Sequence, residues 1–212
     1  MRLAAGTWLL ALLAPSPAVA APPSLTIPMT IQVARCGQRA VRPKAWLDAH
    51  LEGAGKVLAP HRLKIAERRR SFAPERCKLA TRADRDALAA LLDLSAGAGI
   101  NVLVVDEMLD LDLPGYKLMG VHWRYRGKDP RYRGRRYVIL TARAKPPVLA
   151  HELAHYLGLP HDPAGGNLMT PGPSAPIWRL PGPKPTPFAP VLTDEQARRL
   201  RRSIRALSRS GT

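Results

Sequence analysis

The sequence predicts an α/β domain built on a mixed sheet, and three features carry that expectation. Residues 100–106 (Ile-Asn-Val-Leu-Val-Val-Asp) are almost continuously apolar, as a strand covered on both faces of a parallel sheet must be. Helical repeats separate the strands that come before it, which is the spacing parallel crossovers need. Residues 119–126 and 135–142 are joined only by Gly127–Gly134, too short for a crossover, so these two strands must be antiparallel neighbours. At 212 residues the chain is long enough for one domain with a substantial core.

The elements follow in order. Residues 1–20 read as a secretory signal, with Arg2 ahead of the apolar run Trp8–Ala14 and an Ala18-Val19-Ala20 cleavage site. A single domain is then expected over 21–212. That apolar run is too short to cross a membrane, no other run approaches 18 apolar residues, and no Cys follows the cleavage site to carry a lipid. The expectation is an exported monomer, periplasmic or extracellular, with no membrane anchor. Residues 25–34 read as a β-branched strand with Pro28 near its start. Leu47, Leu51, Ala54 and Leu58 mark a helix over 44–58. A strand follows over 61–68, where Leu63 and Ile65 alternate with charged residues. Thr81-x-x-Asp84 is a capping box opening a helix to about Leu94, with Ala87, Leu88, Leu91 and Leu92 inward. Residues 107–118 read as loop. A helix runs from Pro147 to Leu157, a Pro-rich irregular segment covers 171–190, and Thr193-x-x-Gln196 caps a last helix with Ala197, Leu200, Ile204 and Leu207 on one face.

The most informative stretch is His151-Glu152-Leu153-Ala154-His155-Tyr156-Leu157-Gly158-Leu159-Pro160-His161, of the form HExxHxxGxxH. His151 and His155 are four apart, so a helix projects both from one face, where they can grip one ion. Gly158 stands where the helix should end in a left-handed turn that returns His161 as a third ligand. Three protein ligands and an open fourth position describe a catalytic zinc site. Glu152 adjoins the first ligand, placed to act as general base on the attacking water. Asp162, next to His161, is an alternative fourth ligand that would close the site.

These residues resemble the metzincin metallopeptidases. Asn167-Leu168-Met169-Thr170-Pro171 resembles the methionine turn of that group, with Met169 eight residues after His161. The short spacing looks most like the matrixin branch, and Asp162 looks like the adamalysin branch. The resemblance implies a zincin-like fold: a twisted five-stranded sheet whose lone antiparallel strand is an edge, a zinc helix, the Met-turn and a smaller C-terminal part. It implies one catalytic zinc ion and hydrolysis of peptide bonds, with Met169 beneath the metal. It makes Gly120, Val121, His122 and Trp123 the edge along which a peptide substrate pairs, and it makes the turn 170–173, with the loop beyond, the wall of the pocket beside the zinc, with Trp178 either closing that pocket or simply packing in the loop. A matrixin-type structural zinc would need companions for His122 that the segment 100–140 does not supply.

Two cysteines in an exported chain favour a disulfide. In the implied plan the first two strands are parallel neighbours, which brings Cys36 and Cys77 to the same end of them. A competing reading takes Arg35-Cys36-Gly37 as an echo of the matrixin propeptide, where the thiolate caps the zinc. Asp106, Glu107, Asp110 and Asp112 could bind calcium, although their spacing matches no EF-hand loop.

Lys and Arg number 33 against 16 Asp and Glu, a formal charge of +17. Such a surface attracts acidic partners. Residues 123–137 interleave seven cations with four aromatic rings, a composition suited to single-stranded nucleic acid. For an exported chain a basic hairpin beside a peptidase cleft, favouring acidic peptides, is the expected use, and no nucleic acid is expected. The reading from another class is a non-catalytic protein that binds polyanions on a peptidase scaffold.

Overall fold

The computed structural model describes residues 23–72, 77–95, 99–172 and 186–210. The expected signal segment 1–20 and Trp178 lie outside them. In chain order the elements are β1 (Leu25–Cys36), β2 (Arg39–Ala40), α1 (Lys44–Leu58), β3 (Leu63–Phe72), β4 (Lys78–Leu79), α2 (Arg82–Ala87), β5 (Ile100–Val105), β6 (Glu107–Met108), β7 (Gly120–Arg124), β8 (Arg136–Thr141), α3 (Pro146–Tyr156) and α4 (Asp194–Ser210).

Five strands form the main sheet in the order β3-β1-β5-β8-β7. Strands β3, β1, β5 and β8 are parallel, and β7 is antiparallel to β8. This is the mixed sheet with one antiparallel edge that the sequence predicts. Strand β2 adds a short hairpin to the end of β1. Pro28 is tolerated inside β1 because pairing with β5 begins only at Met29, so its missing N–H falls where β1 has one neighbour.

Each strand alternates its side chains between two apolar layers. Val102, Val104, Val138 and Leu140 face α1, α3 and α4, together with Ile27, Met29 and Ile31 of β1. Leu103, Val105, Tyr137 and Ile139 face the other way, toward Leu88, Met108 and Trp123. The first layer carries the helix with the HExxH residues, and the second lies beneath α2.

Two expectations need correction. The helix opened by Thr81 is short. Its capping box forms, with the Asp84 N–H donating to Thr81 Oγ1 and the Thr81 N–H to Asp84, but α-helix gives way to a 3-10 turn at Leu88–Leu91. The tighter turn rotates the apolar face, so Leu88 and Ala89 are buried while Leu91 and Leu92 are only half-buried. Residues 107–118 are not plain loop. Strand β6 pairs in parallel with β4, and Leu109 bridges Lys117.

Cys36 ends β1 and Cys77 follows β3, its parallel neighbour; the two are disulfide-bonded, with Cα atoms 5.9 Å apart. With its sulfur in that bond, Cys36 has no thiolate to cap a metal.

Candidate metal centre and substrate edge

Helix α3 begins with Pro at its first positions and ends in a complete Schellman turn. Leu159 N–H donates to Ala154 O at 2.9 Å, and Gly158 N–H to His155 O at 3.0 Å. Gly158 has φ +95°, the left-handed region in which a side chain is costly. The turn sends the chain back so that His161 faces His155, their Nε2 atoms 3.1 Å apart. Two nitrogens on one tetrahedral zinc ion lie about 3.3 Å apart, given Zn–N of about 2.0–2.1 Å. His151, His155 and His161 form a group whose ligand atoms all lie within 4.8 Å of one another, and among the described residues no other group of three His, Cys, Asp or Glu does so.

The tautomers are set by the backbone. His151 Nδ1 lies 2.7 Å from Leu168 O, and His155 Nδ1 lies 2.7 Å from Leu159 O. A carbonyl only accepts, so Nδ1 carries the proton in both rings and Nε2 is left with its lone pair. Burial pushes the pKa of all three histidines down, His155 to about 3. They are neutral at pH 7, the form a metal requires.

Glu152 lies beside them, buried, and burial pushes its carboxyl up to about 8 against the opposing backbone hydrogen bond from His122. A buried carboxyl with so little compensation fits a site that receives a cation. Strand β7 approaches it closely: a Cβ on Gly120 would sit 2.7 Å from Val148 Cγ1 and 2.9 Å from Glu152 Cγ. Only glycine fits there.

The turn around Met169 acts through its carbonyls. Leu168 O orients His151, and Met169 O accepts the Asp162 N–H at 2.8 Å, holding the residue beside His161. Met169 is fully buried. Asp162 is not part of the histidine group; its carboxylate accepts from Ala164 N–H and from Asn167 Nδ2. Asn167 Oδ1 accepts both the Met169 N–H and Gln196 Nε2. Gln196 in turn forms a capping box with Thr193 at the start of α4. The C-terminal helix thus braces the turn. Sequence reading named the capping box and the Asn-Leu-Met segment but had no signal that they meet.

Strand β7 pairs only with β8 among the described residues. Tyr125 N–H donates to Arg135 O, and Thr141 N–H to Met119 O. The alternation of an antiparallel ladder then leaves the backbone groups of Gly120, His122 and Arg124 pointing out of the sheet. The His122 ring lies edge-on to Tyr156 at 5.6 Å, and its Nε2 is buried with no hydrogen-bond partner among the described residues. The four acidic residues at 106–112 form no cluster: Glu107 pairs with Lys117, and Asp110 accepts backbone N–H groups from Asp112 and Leu113. The turn 170–173 is described only to Gly172.

No family model and no curated protein matches the chain. Solved structures do. Mature mirolysin of Tannerella forsythia, in complex with a cleaved peptide, matches with a TM-score of 0.53 at 12% identity, over 85% of this chain and 92% of that one. Mirolysin in complex with a compound gives 0.55 at 11% identity, over 90% and 98%. Metalloproteinase-II of Bacteroides fragilis gives 0.53 at 11% identity, over 87% of this chain and 55% of that one. The chain therefore has a metallopeptidase fold, and the three histidines gather on that scaffold. Among the described residues no helix is long and apolar enough to cross a membrane.

Proposed function

We propose that this chain is an exported zinc-dependent endopeptidase of the metzincin type, closest to the matrixin branch, with residues 21–212 as one catalytic domain acting as a monomer. The observation that carries the reading is the convergence of three histidine Nε2 atoms, two with backbone-fixed tautomers, beside a buried glutamate. His151, His155 and His161 would hold the zinc. When bound, the ion polarises a carbonyl and lowers the pKa of a water toward about 7. Its charge also favours the ionised form of Glu152, which burial alone opposes. Glu152 then takes a proton from the attacking water and delivers it to the leaving amine nitrogen. Gly120, Arg124 and the His122 carbonyl offer main-chain groups to an extended peptide, and Glu152 receives the His122 N–H, which ties the base to the substrate strand. Leu168 O, Met169 O and Asn167 keep the ligands in place.

Export after cleavage near Ala20 suits the Cys36–Cys77 disulfide, which an oxidising compartment preserves. The test is incubation of the mature protein with a proteome-derived peptide library, read by mass spectrometry, with Glu152→Ala as control and zinc measured by elemental analysis. Cleavage by wild type, absent in the variant at equal zinc content, is expected. Zinc-free protein, or equal cleavage by the variant, would overturn the reading.

A further inference from the structure

Beside strand β7, toward α2, lies a cavity of about 430 Å³. Arg82 and Arg85 of α2 line it, with Arg124 from β7 and Arg126 just beyond. Arg82 and Arg85 hold their guanidinium carbons 5.5 and 4.9 Å from the Trp123 ring centroid. Asp86 fixes that platform by accepting from Trp123 Nε1 at 2.8 Å and from the Arg126 N–H. Arg85 is the unusual member. It is only 3% exposed; one Nη donates to Leu109 O, and its Nε has no partner among the described residues. None of the four arginines is in an ion pair among those residues. Asp110 and Asp112 share the wall and act on Arg85, and Asp110 is already engaged by backbone N–H groups, which leaves Arg82 and Arg126 as exposed cations of the cavity.

We propose that this cavity is a subsite for the carboxylate side chain of a peptide lying on β7. The peptide's placement rests on the peptidase reading. An extended peptide paired with Gly120, His122 and Arg124 alternates its side chains, so every second one points to the α2 side. A Glu or Asp at that position supplies the missing counter-charge through charge-assisted hydrogen bonds. A Lys is repelled, and an apolar residue further desolvates guanidinium groups without pairing them. Two of the seven hairpin cations that the sequence suggests are engaged elsewhere: Arg131 pairs with Asp129, and Arg136 donates to Tyr156 O at the end of α3. Arg126 of the hairpin is joined in the cavity by Arg82 and Arg85 of α2, some 40 residues before β7 in the chain.

The test uses zinc-loaded mature protein and peptides that carry Glu, Gln or Lys at each position in turn on either side of a cleaved bond. At one position Glu should exceed Gln in kcat/KM by roughly tenfold, with Lys lowest. The exposed double variant Arg82→Gln/Arg126→Gln should bring the Glu-to-Gln ratio close to one, and Arg82→Glu/Arg126→Glu should turn the preference toward Lys. Equal values for Glu and Gln at every position in wild type would overturn the subsite. A binding arm measures fluorescence anisotropy of the same peptides with Glu152→Ala protein and decides the question even if no bond is cleaved. Tighter Glu peptides, loosened in the double variant, support the subsite while leaving the peptidase reading to stand or fall alone. Inorganic phosphate that binds while Glu and Gln peptides bind alike would show a small-anion site and overturn the proposal.

Discussion

The two sides of strand β7 use charge in opposite ways. Toward α3, three histidines are depressed by burial, two of them with their protons pinned by carbonyls, and Glu152 is raised to about 8. Toward α2, Arg82 and Arg85 stack over Trp123 with Arg126 beside them, and none of the three is in an ion pair among the described residues. A metal centre needs lone pairs in fixed directions, and two of the three rings, His151 and His155, are locked by backbone carbonyls. An anion subsite needs field more than angle, so its cations rest on an aromatic face and leave their charge available. Between them, β7 offers one set of outward backbone groups to a substrate that would meet both.

The sharpest way to separate the sides is to remove one group from each. Glu152→Ala should lower kcat/KM by about 10²–10⁴-fold while zinc content is retained, and His155→Ala should lose the zinc itself. The double variant Arg82→Gln/Arg126→Gln should change the ratio between peptides and keep the metal. Steady-state kinetics beside elemental analysis reads both. A Glu152→Ala protein as active as wild type would mean that the neutral side is not the catalytic one.

Gly120→Ala comes next. Its Cβ would press on Val148 and on Glu152 Cγ, so α3 or the glutamate must move. Overpacking of this kind costs about 1–3 kcal/mol, and a misplacement near 1 Å can cost on the order of 10²-fold in rate. We expect a lowered melting temperature and a fall in kcat larger than any change in KM. Val121→Ala, pointing to the α2 side, should soften the second apolar layer with much less effect on kcat. Equal kcat losses in the two variants would show that β7 does not position Glu152.

The two sides also differed in how far they could be read from the sequence. The α3 side is contiguous: residues 151–161 carry the three histidines, Glu152 and the C-cap glycine, so helical spacing implies that the histidines converge. The resemblance to the metzincins implied the edge strand, the turn at Met169 and the pairing of Cys36 with Cys77, and the structure contains that disulfide. The α2 side is dispersed. Nothing in the sequence around Arg82 and Arg85 says that Trp123 lies beneath them. The helix also broke early into a 3-10 turn, which periodicity cannot foresee because packing against Leu103 and Tyr137 decides it. The brace through Asn167 and Gln196 was hidden for the same reason, since 29 residues separate its partners.

That brace allows a smaller test. Asn167→Ala leaves the Met169 N–H and Gln196 without their shared acceptor, a loss of about 1–3 kcal/mol for buried groups. Because Leu168 O orients His151, zinc affinity should fall by roughly 10- to 100-fold. Competition with a zinc chelator measures this. Gln196→Ala should reproduce part of the stability loss and little of the affinity loss. Unchanged zinc affinity in Asn167→Ala would confine the brace to stability.

The smallest expected effect is in pH dependence, and it should belong to one side alone. Burial lowers the His122 pKa from 6.5 to about 4, with Arg136 adding repulsion. Between those values the unfolded chain binds more protons than the folded one, so stability rises with pH across that window. The contribution is complete above pH 6.5, is lost as pH falls toward about 4, and is flat below. The arginines opposite do not titrate in this range. The ligand histidines add a term of the same sign, so wild type and His122→Asn should both be freed of metal and their urea midpoints compared at pH 7.5, 6 and 5; the triad then cancels in the difference. His122→Asn should flatten the acid loss by on the order of 1 kcal/mol, after allowance for the ring's remaining contact with water. Arg124→Gln, on the same strand, should leave the slope as it is. Parallel slopes for wild type and His122→Asn would mean that the ring on the α3 side takes up its proton as freely folded as unfolded, and the contrast between a neutral and a charged side of β7 would then rest on the metal ligands and Glu152 alone.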